Sequence, residues 1–353
     1  MIYRKQHKCI SDLIRFAFLA LILIIITSAP VITEAHSIDY SLSFKTIYND
    51  NILNYSDADL DQMDDPSAPP NKFGIPSKDD YIFSPELEII YKTRLAGHSA
   101  HFGLKGTYYY YKKNDIKRYY KVKLFIRRYF NRNVYIQSSA SYLPDYYYRN
   151  SYSSTEGYQE AMFDKITGDI KLSVKLLKKI RSNLYYIYSR KDFIPLFDER
   201  DITSHDFKVE TICRPNRLWK GWGSYTFRTA ASAGADDSDY QRDTSYDSFL
   251  FTLGSRYYLT GLKGLGFEIA GRVNYKIVYF QTEKITSEDR YRLGRQDNRS
   301  SFNLSAEHEI TSKLDIGFNF NRIVKKTDLP AEDLKEFLEY SSNSFYFVLG
   351  YVF

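Results

Sequence analysis

The chain has 353 residues, 43% of them hydrophobic, with 49 Lys+Arg against 43 Asp+Glu and a formal net charge of +6. A mean hydropathy of −0.45 excludes a polytopic helical membrane protein. The charge is too mild and too dispersed for a nucleic-acid partner. The unusual component is aromatic: 34 Tyr, 24 Phe and 2 Trp make up 17% of the chain, and such residues favour half-buried strands.

Arg4, Lys5, Lys8 and Arg15 form a cationic leader, followed by the apolar run Phe16 to Thr27. A dozen residues rising 1.5 Å each are too short for a permanent helical span. They fit the apolar stretch of a secretory signal, with Thr33 and Ala35 at the −3 and −1 positions of a cleavage site. Residues 1–35 are therefore expected to be a signal peptide, and 36–353 a single domain of about 318 residues. The other reading is an uncleaved anchor. Cys213 is then the sole mature cysteine and can form no internal disulfide.

Beyond the leader no long segment holds a 3.6-residue apolar period, and period-two runs recur instead. Taken in order they fall near 38–48, 81–94, 99–111, 119–128, 133–144, 166–177, 182–190, 204–214, 222–231, 245–258, 266–277, 298–310, 314–324 and 345–353. In the thirteenth, Leu314, Ile316, Phe318 and Phe320 alternate with Asp315, Gly317, Asn319 and Asn321. Connections after the even runs are short, as at Ala96-Gly97, Asn131 to Asn133 and Lys178-Lys179. Those after the odd runs are mostly long and polar: 49–80, 145–157, 191–203, 232–244, 282–297 and 325–341, with the short KKND at 112–115 as the exception. Alternating tight turns and long loops mark an all-β, antiparallel, up-and-down transmembrane β-barrel with turns in the periplasm and loops outside. About fourteen strands are expected. Twelve or sixteen remain open, because 112–115 and 145–157 are the least sharply marked connections. Tyr clusters such as Tyr108 to Tyr111, Tyr146 to Tyr148 and Tyr185-Tyr186 would form interfacial girdles. A soluble all-β secreted protein is the alternative architecture.

The final strand places Phe347, Leu349, Tyr351 and Phe353 at alternate positions and ends the sequence on Phe. This resembles the C-terminal assembly signal of Gram-negative outer-membrane β-barrel proteins. The stretch TIYNDNILN (46–54) is similar to the first hairpin of a loosely defined group of porin-like barrels. The resemblance implies a bacterial outer-membrane location and contact with outer-membrane lipid and lipopolysaccharide. It also implies insertion by the barrel-insertion machinery, a passive or export-linked role, and no enzyme chemistry to carry over.

Candidate chemistry is sparse. Asp57-x-Asp59-x-Asp61 opens like a calcium loop, but Gln62 stands where Gly is needed and Ala68 where Glu is needed. A solvated acidic loop is the expectation, and neither a metal nor a cofactor is expected. His98 and His101 are three apart and diverge on a strand. His205 and His308 could in principle meet a rim Ser as in a lipid-modifying hydrolase, but no nucleophile–base–orienter set is marked, so no catalytic residue is assigned. Gly261, Gly264 and Gly266 lie between two strands and read as a hairpin turn. In 329–340, Asp328 as a cap, Pro330 in the first turn, and Leu334, Phe337 and Leu338 at helical spacing predict a short external helix.

If the apolar face meets lipid, the polar face lines a lumen. That assignment places Lys92, Lys105, Lys121, Lys123, Arg127, Lys171, Lys175, Lys208, Arg228, Arg256, Arg272 and Lys276 inward. Glu86, Glu88, Glu210, Glu268, Glu307, Glu309 and Asp315 are expected there too. The basic excess points to a weakly anion-preferring diffusion or export channel for small solutes. An occluded structural or assembly barrel of an export system, with a periplasmic partner, is the other reading.

Overall fold

The computed structural model describes residues 37–69, 71–153, 155–235, 243–262, 265–282, 289–311 and 313–352. The expected signal peptide with its cleavage site, and Phe353, lie outside the described residues. Period-two patterning gives fourteen strands, as expected: β1 (Ser37–Asn49), β2 (Asp80–Leu95), β3 (His98–Tyr111), β4 (Tyr119–Tyr129), β5 (Val134–Ser153), β6 (Gly157–Leu177) and β7 (Ile180–Phe193). The second half supplies β8 (Ile202–Cys213), β9 (Trp219–Ser232), β10 (Tyr246–Leu262), β11 (Leu265–Phe280), β12 (Gln296–Glu309), β13 (Leu314–Asp328) and β14 (Tyr340–Val352). Each strand pairs antiparallel with its sequence neighbours, and β1 closes on β14 through nine paired positions from Ser41↔Val352 to Asn49↔Ser344. Closure leaves no sheet edge, so every strand has a partner on both sides.

Alternation fixes which side chain faces where. Across β1 and β2, Leu42 lies opposite Leu87 and Ile38 opposite Tyr91, whereas Ser43 lies opposite Glu86. The first set belongs to an exposed apolar belt that includes Phe44, Leu124, Phe207, Leu253, Val273, Phe318 and Phe347. Cys213 is in the same outward phase, opposite Gly221. No described helix is long and apolar enough to cross a membrane; the strands form the apolar exterior.

Three connections differ from the sequence reading. Residues 145–157 were expected as a loop, but β5 and β6 continue to the pair Ser153↔Gly157 and form a tall hairpin. Register shifts between Leu143 and Tyr146 and between Tyr147 and Arg149 break the alternation there, and a bulge scrambles the period by which a strand is recognised. The acidic segment 50–79 contains a helix, α1 (Asp57–Met63), started by Ser56, whose hydroxyl accepts from Asp59 N at 3.0 Å. The 329–340 helix is a 3-10 segment over Glu332–Phe337, and Asp328 does not cap it. Asp328 ends β13, and its carboxylate meets Lys335 Nζ at 3.4 Å.

The short KKND connection has a physical cause. Asp80, fully buried at the start of β2, accepts from the backbone N–H of Lys112, Lys113 and Asn114 and from the Asn114 side-chain amide, at 2.8–3.2 Å. One carboxylate thus satisfies a whole turn. On the interior wall two strand glycines receive aromatic rings. A Cβ on Gly103 would fall 2.0 Å from the Phe125 ring, and one on Gly254 would fall 2.2 Å from Trp222. Both pairs are cross-strand neighbours, Gly103↔Phe125 and Gly254↔Trp222. Replacing Asp80 by Ala strands three backbone donors and is expected to cost about 3 kcal/mol. The urea midpoint of the refolded protein in micelles measures this, with Asp80→Asn expected to lose less.

Candidate functional site: the interior wall and its mouth

The interior phase collects the charged residues. Lys105 lies directly opposite Lys123, and its Nζ is 2.5 Å from Glu86. Glu88 pairs in register with Lys105, and Lys121 with Thr107. Arg127 donates to Gln137 at 2.8 Å, and Lys171 lies opposite both Gln137 and Tyr185. Lys175 faces Arg181, and Lys208 meets Glu210 at 3.1 Å. Arg228 grips Asp206 with two bonds of 2.6 Å, and Arg256 meets Glu268 at 2.8 Å. Glu268 faces Glu307, and Asp315 faces Glu309. Arg272 lies opposite Asn303, and Lys276 opposite Arg299. Lys92 meets Asp39 in an ion pair. Of the expected assembly residues, Phe347, Leu349 and Tyr351 are exposed on the outer face, paired with Phe318, Ile316 and Leu314.

Several charged groups of the same wall escaped the sequence reading: Lys165, Lys191, Arg299, Lys325, Arg149, Asp206 and Asp297. Lys165 and Arg149 lie on the portions of β6 and β5 that the bulges disguise. Lys191 and Lys325 fall where loops were expected, although their strands continue through them. Arg299 lies in the inward alternation of the expected run 298–310. Together these residues make rows of like charge. Lys165 lies directly opposite Lys191, and Lys276, Arg299 and Lys325 occupy one row across β11, β12 and β13. Like charges directly opposite repel. Among the described residues, no carboxylate lies within ion-pair distance of Lys121, Lys165, Lys191, Lys276 or Arg299, whereas Lys325 meets Asp297 at 3.0 Å.

The histidines do not converge. His205 sits in the outward phase with its ring 2.7 Å from the Tyr186 hydroxyl, and His308 stacks on Phe267 in the same phase. Among the described residues, no group of three or more His, Cys, Asp and Glu side chains is arranged to hold a metal.

The loop-bearing end is partly filled from within. Ile52, Leu53, Tyr55 and Ile75 of segment 50–79 form one buried cluster with the interior residues Ile47, Ile82 and Tyr111 and with Tyr147. Asn51 braces the segment, accepting from Tyr55 N at 2.8 Å and donating to Tyr55 O at 2.7 Å and Ser341 O at 3.2 Å. On the far side Arg149 donates to Leu53 O and lies over the Tyr55 ring at 5.3 Å. The expected solvated loop is therefore a folded strap. Its acidic stretch lies on the other side: Asp59, largely covered, meets Lys72 at 2.9 Å, and the exposed Asp57 and Asp61 line a cavity of about 470 Å³ with Lys325, Lys326, Glu336 and Glu339.

A closed antiparallel cylinder with an apolar outside and a charged inside has one solvent arrangement, lipid around it and water within. The chain folds as a closed, fourteen-stranded β-barrel of the transmembrane type. No protein-family model matches it, and no curated protein matches it. Solved structures similar to it include a bacterial polysaccharide outer membrane secretin, at 8% identity and TM-score 0.49, covering 89% of this chain and 98% of that one. An anion-selective porin from Comamonas acidovorans gives 9% identity and TM-score 0.45, covering 90% and 99%. The outer membrane channel DcaP of Acinetobacter baumannii gives 11% identity and TM-score 0.45, covering 92% and 100%. Similarity at this level assigns no solute to the barrel.

Beside the strap lies a titratable lysine. Lys117, only 2% exposed, donates to Tyr147 O at 2.8 Å and to the Tyr146 hydroxyl at 3.2 Å, with no carboxylate in ion-pair distance among the described residues. Burial, and secondarily the Arg149 charge, push its ammonium down to about 7. Between pH 7 and the ordinary lysine range near 10.5, the unfolded chain holds a proton that the folded chain has released, so stability rises with pH across that window. Comparing thermal unfolding of wild type and Lys117→Met from pH 7 to pH 10 checks this: the wild type is expected to gain relative to the variant. A constant difference would contradict it.

Proposed function

We propose that the barrel is a passive channel with a preference for anions, and that it has no hydrolytic role. The observation that supports it best is the row Lys276–Arg299–Lys325 with the pair Lys165–Lys191, five basic side chains each set against a like charge on an adjacent strand of the interior wall. Only Lys325 has a carboxylate partner among the described residues. A dry interior would not tolerate such rows. Water and mobile counter-anions offset the repulsion, and a low-dielectric wall focuses the resulting positive field on the bore. Both candidate histidines are engaged by other groups, His205 Nδ1 by the Tyr186 hydroxyl at 2.7 Å and His308 Nδ1 by Gly266 O at 2.8 Å, rather than by a Ser, which speaks against a rim hydrolase. Small anionic solutes are the proposed cargo, entering from outside past the strap and leaving to the periplasm at the tight-turn end.

One observation favours an occluded export or assembly barrel: the strap 50–79 packs its apolar side chains onto the interior wall at the loop end. Planar-bilayer recording separates the two readings. Discrete conductance steps, with a reversal potential in a salt gradient showing anions more permeant than cations, are expected of the channel. Lys165→Gln combined with Lys276→Gln and Arg299→Gln is expected to move the permeability ratio to unity or below. Cation preference in the wild type would remove the anion reading, and a silent membrane would favour the occluded barrel.

A further inference from the structure

A second basic group lies at the opposite end of the interior, near the tight turns, and is organised differently. Tyr135 is the second residue of β5, just after the turn that leaves β4. Three cations converge on its ring: the Arg127 guanidinium at 5.4 Å from the centroid, Lys171 Nζ at 5.4 Å and the Arg181 guanidinium at 5.5 Å. They come from three strands, β4, β6 and β7, and all share the interior phase through Tyr129↔Tyr135, Tyr135↔Ser173 and Ser173↔Asn183. Lys175, directly opposite Arg181, adds a fourth charge.

What holds these groups is neutral. Arg127 Nε donates to Gln137 Oε1 at 2.8 Å, and its Nη1 donates to the Tyr129 hydroxyl at 3.2 Å. Arg181 Nη1 donates to Ser173 Oγ at 2.8 Å. Lys171 also lies 5.1 Å from the Tyr185 ring. The acidic neighbours are engaged elsewhere: Glu210 takes Lys208 at 3.1 Å and Asn183 at 2.8 Å, and Asp169 takes the Ser139 hydroxyl, with Lys123 at 4.0 Å. Amide and hydroxyl acceptors fix the direction of a cation without cancelling its charge. An aromatic face attracts cations but leaves their net charge in place. Two guanidinium forks and an ammonium held this way match a compact group that carries several negative oxygens. A monovalent halide would leave most of the charge and most of the donors unmet.

We propose that Arg127, Lys171 and Arg181 around Tyr135 form a binding site for a multivalent oxyanion, a phosphate or polycarboxylate group, at the turn end of the bore. It deepens the channel reading and rests on it for the solute's route, but not for its own occupancy, since the site lies at the turn end and the strap packs on the wall at the loop end.

Titration calorimetry of the refolded full chain in micelles, at matched ionic strength, tests this with inorganic pyrophosphate, citrate and chloride as probes. One-site binding of pyrophosphate or citrate, at least tenfold tighter than chloride, is expected, and the tighter of the two names the chemistry. Lys171→Gln and Arg181→Gln should each weaken that binding about tenfold, Arg181→Lys should restore part of it, and Lys113→Gln on an exposed turn should leave it unchanged. Heat-shifted gel migration verifies that each variant is folded. Binding no tighter than chloride, or equal loss in Lys113→Gln, overturns the site. Bilayer currents measured on the same preparation keep the two proposals apart: binding without conductance retains the site and removes the channel, and conductance without binding does the reverse.

Discussion

The constraint behind everything in this molecule is that hydrocarbon offers no hydrogen bond to a peptide group. A chain made of strands can enter lipid only if every strand is paired on both sides, and that demands a cylinder. The β1–β14 seam meets the demand with nine paired positions. Once the cylinder closes, the two-residue alternation has only two destinations, lipid and lumen. A side chain's parity then decides its environment more firmly than its chemistry does. Cys213 and His205 face outward for that reason, and Phe125 and Trp222 face inward.

Much of this could be read from the chain because the signal is repetitive. Fourteen short runs, each weak alone, agree on one period and on alternating connection lengths. What could not be read lies where the period fails. The β5–β6 hairpin carries two bulges within a run of tyrosines, so Tyr146, Tyr147 and Tyr148 looked like a girdle at the end of a strand rather than its continuation. Lys191 and Lys325 were missed because loops were expected to begin before their strands had ended. The strap was missed for another reason. Five of its aspartates, at 57, 59, 61, 64 and 65, advertise a solvated loop, while the residues that dock it, Ile52, Leu53, Tyr55 and Ile75, are apolar positions with no period.

The two basic groups of the interior solve the same electrostatic problem differently. Near the loop end, cations face cations across strands and are kept apart by the sheet. Near the turn end, they gather on one ring and are steered by Gln137, Ser173 and Tyr129. The acidic pairs Glu268–Glu307 and Glu309–Asp315 occupy the wall of β11 to β13. The charge of the wall is therefore uneven around its circumference as well as biased in sign, and an ion in the bore would feel a sideways field as well as a lengthwise one.

The two rings laid over Gly103 and Gly254 have a geometric consequence. Fourteen strands fix the circumference of the cylinder, so free cross-section is gained only by keeping the contents of the wall thin. A ring flattened into the notch left by a missing Cβ contributes stiffness and contact area while projecting little toward the axis. Phe125 and Trp222 thereby act as inlays rather than obstacles. Each ring keeps its seat because a hydrogen atom stands where a methyl group would otherwise be.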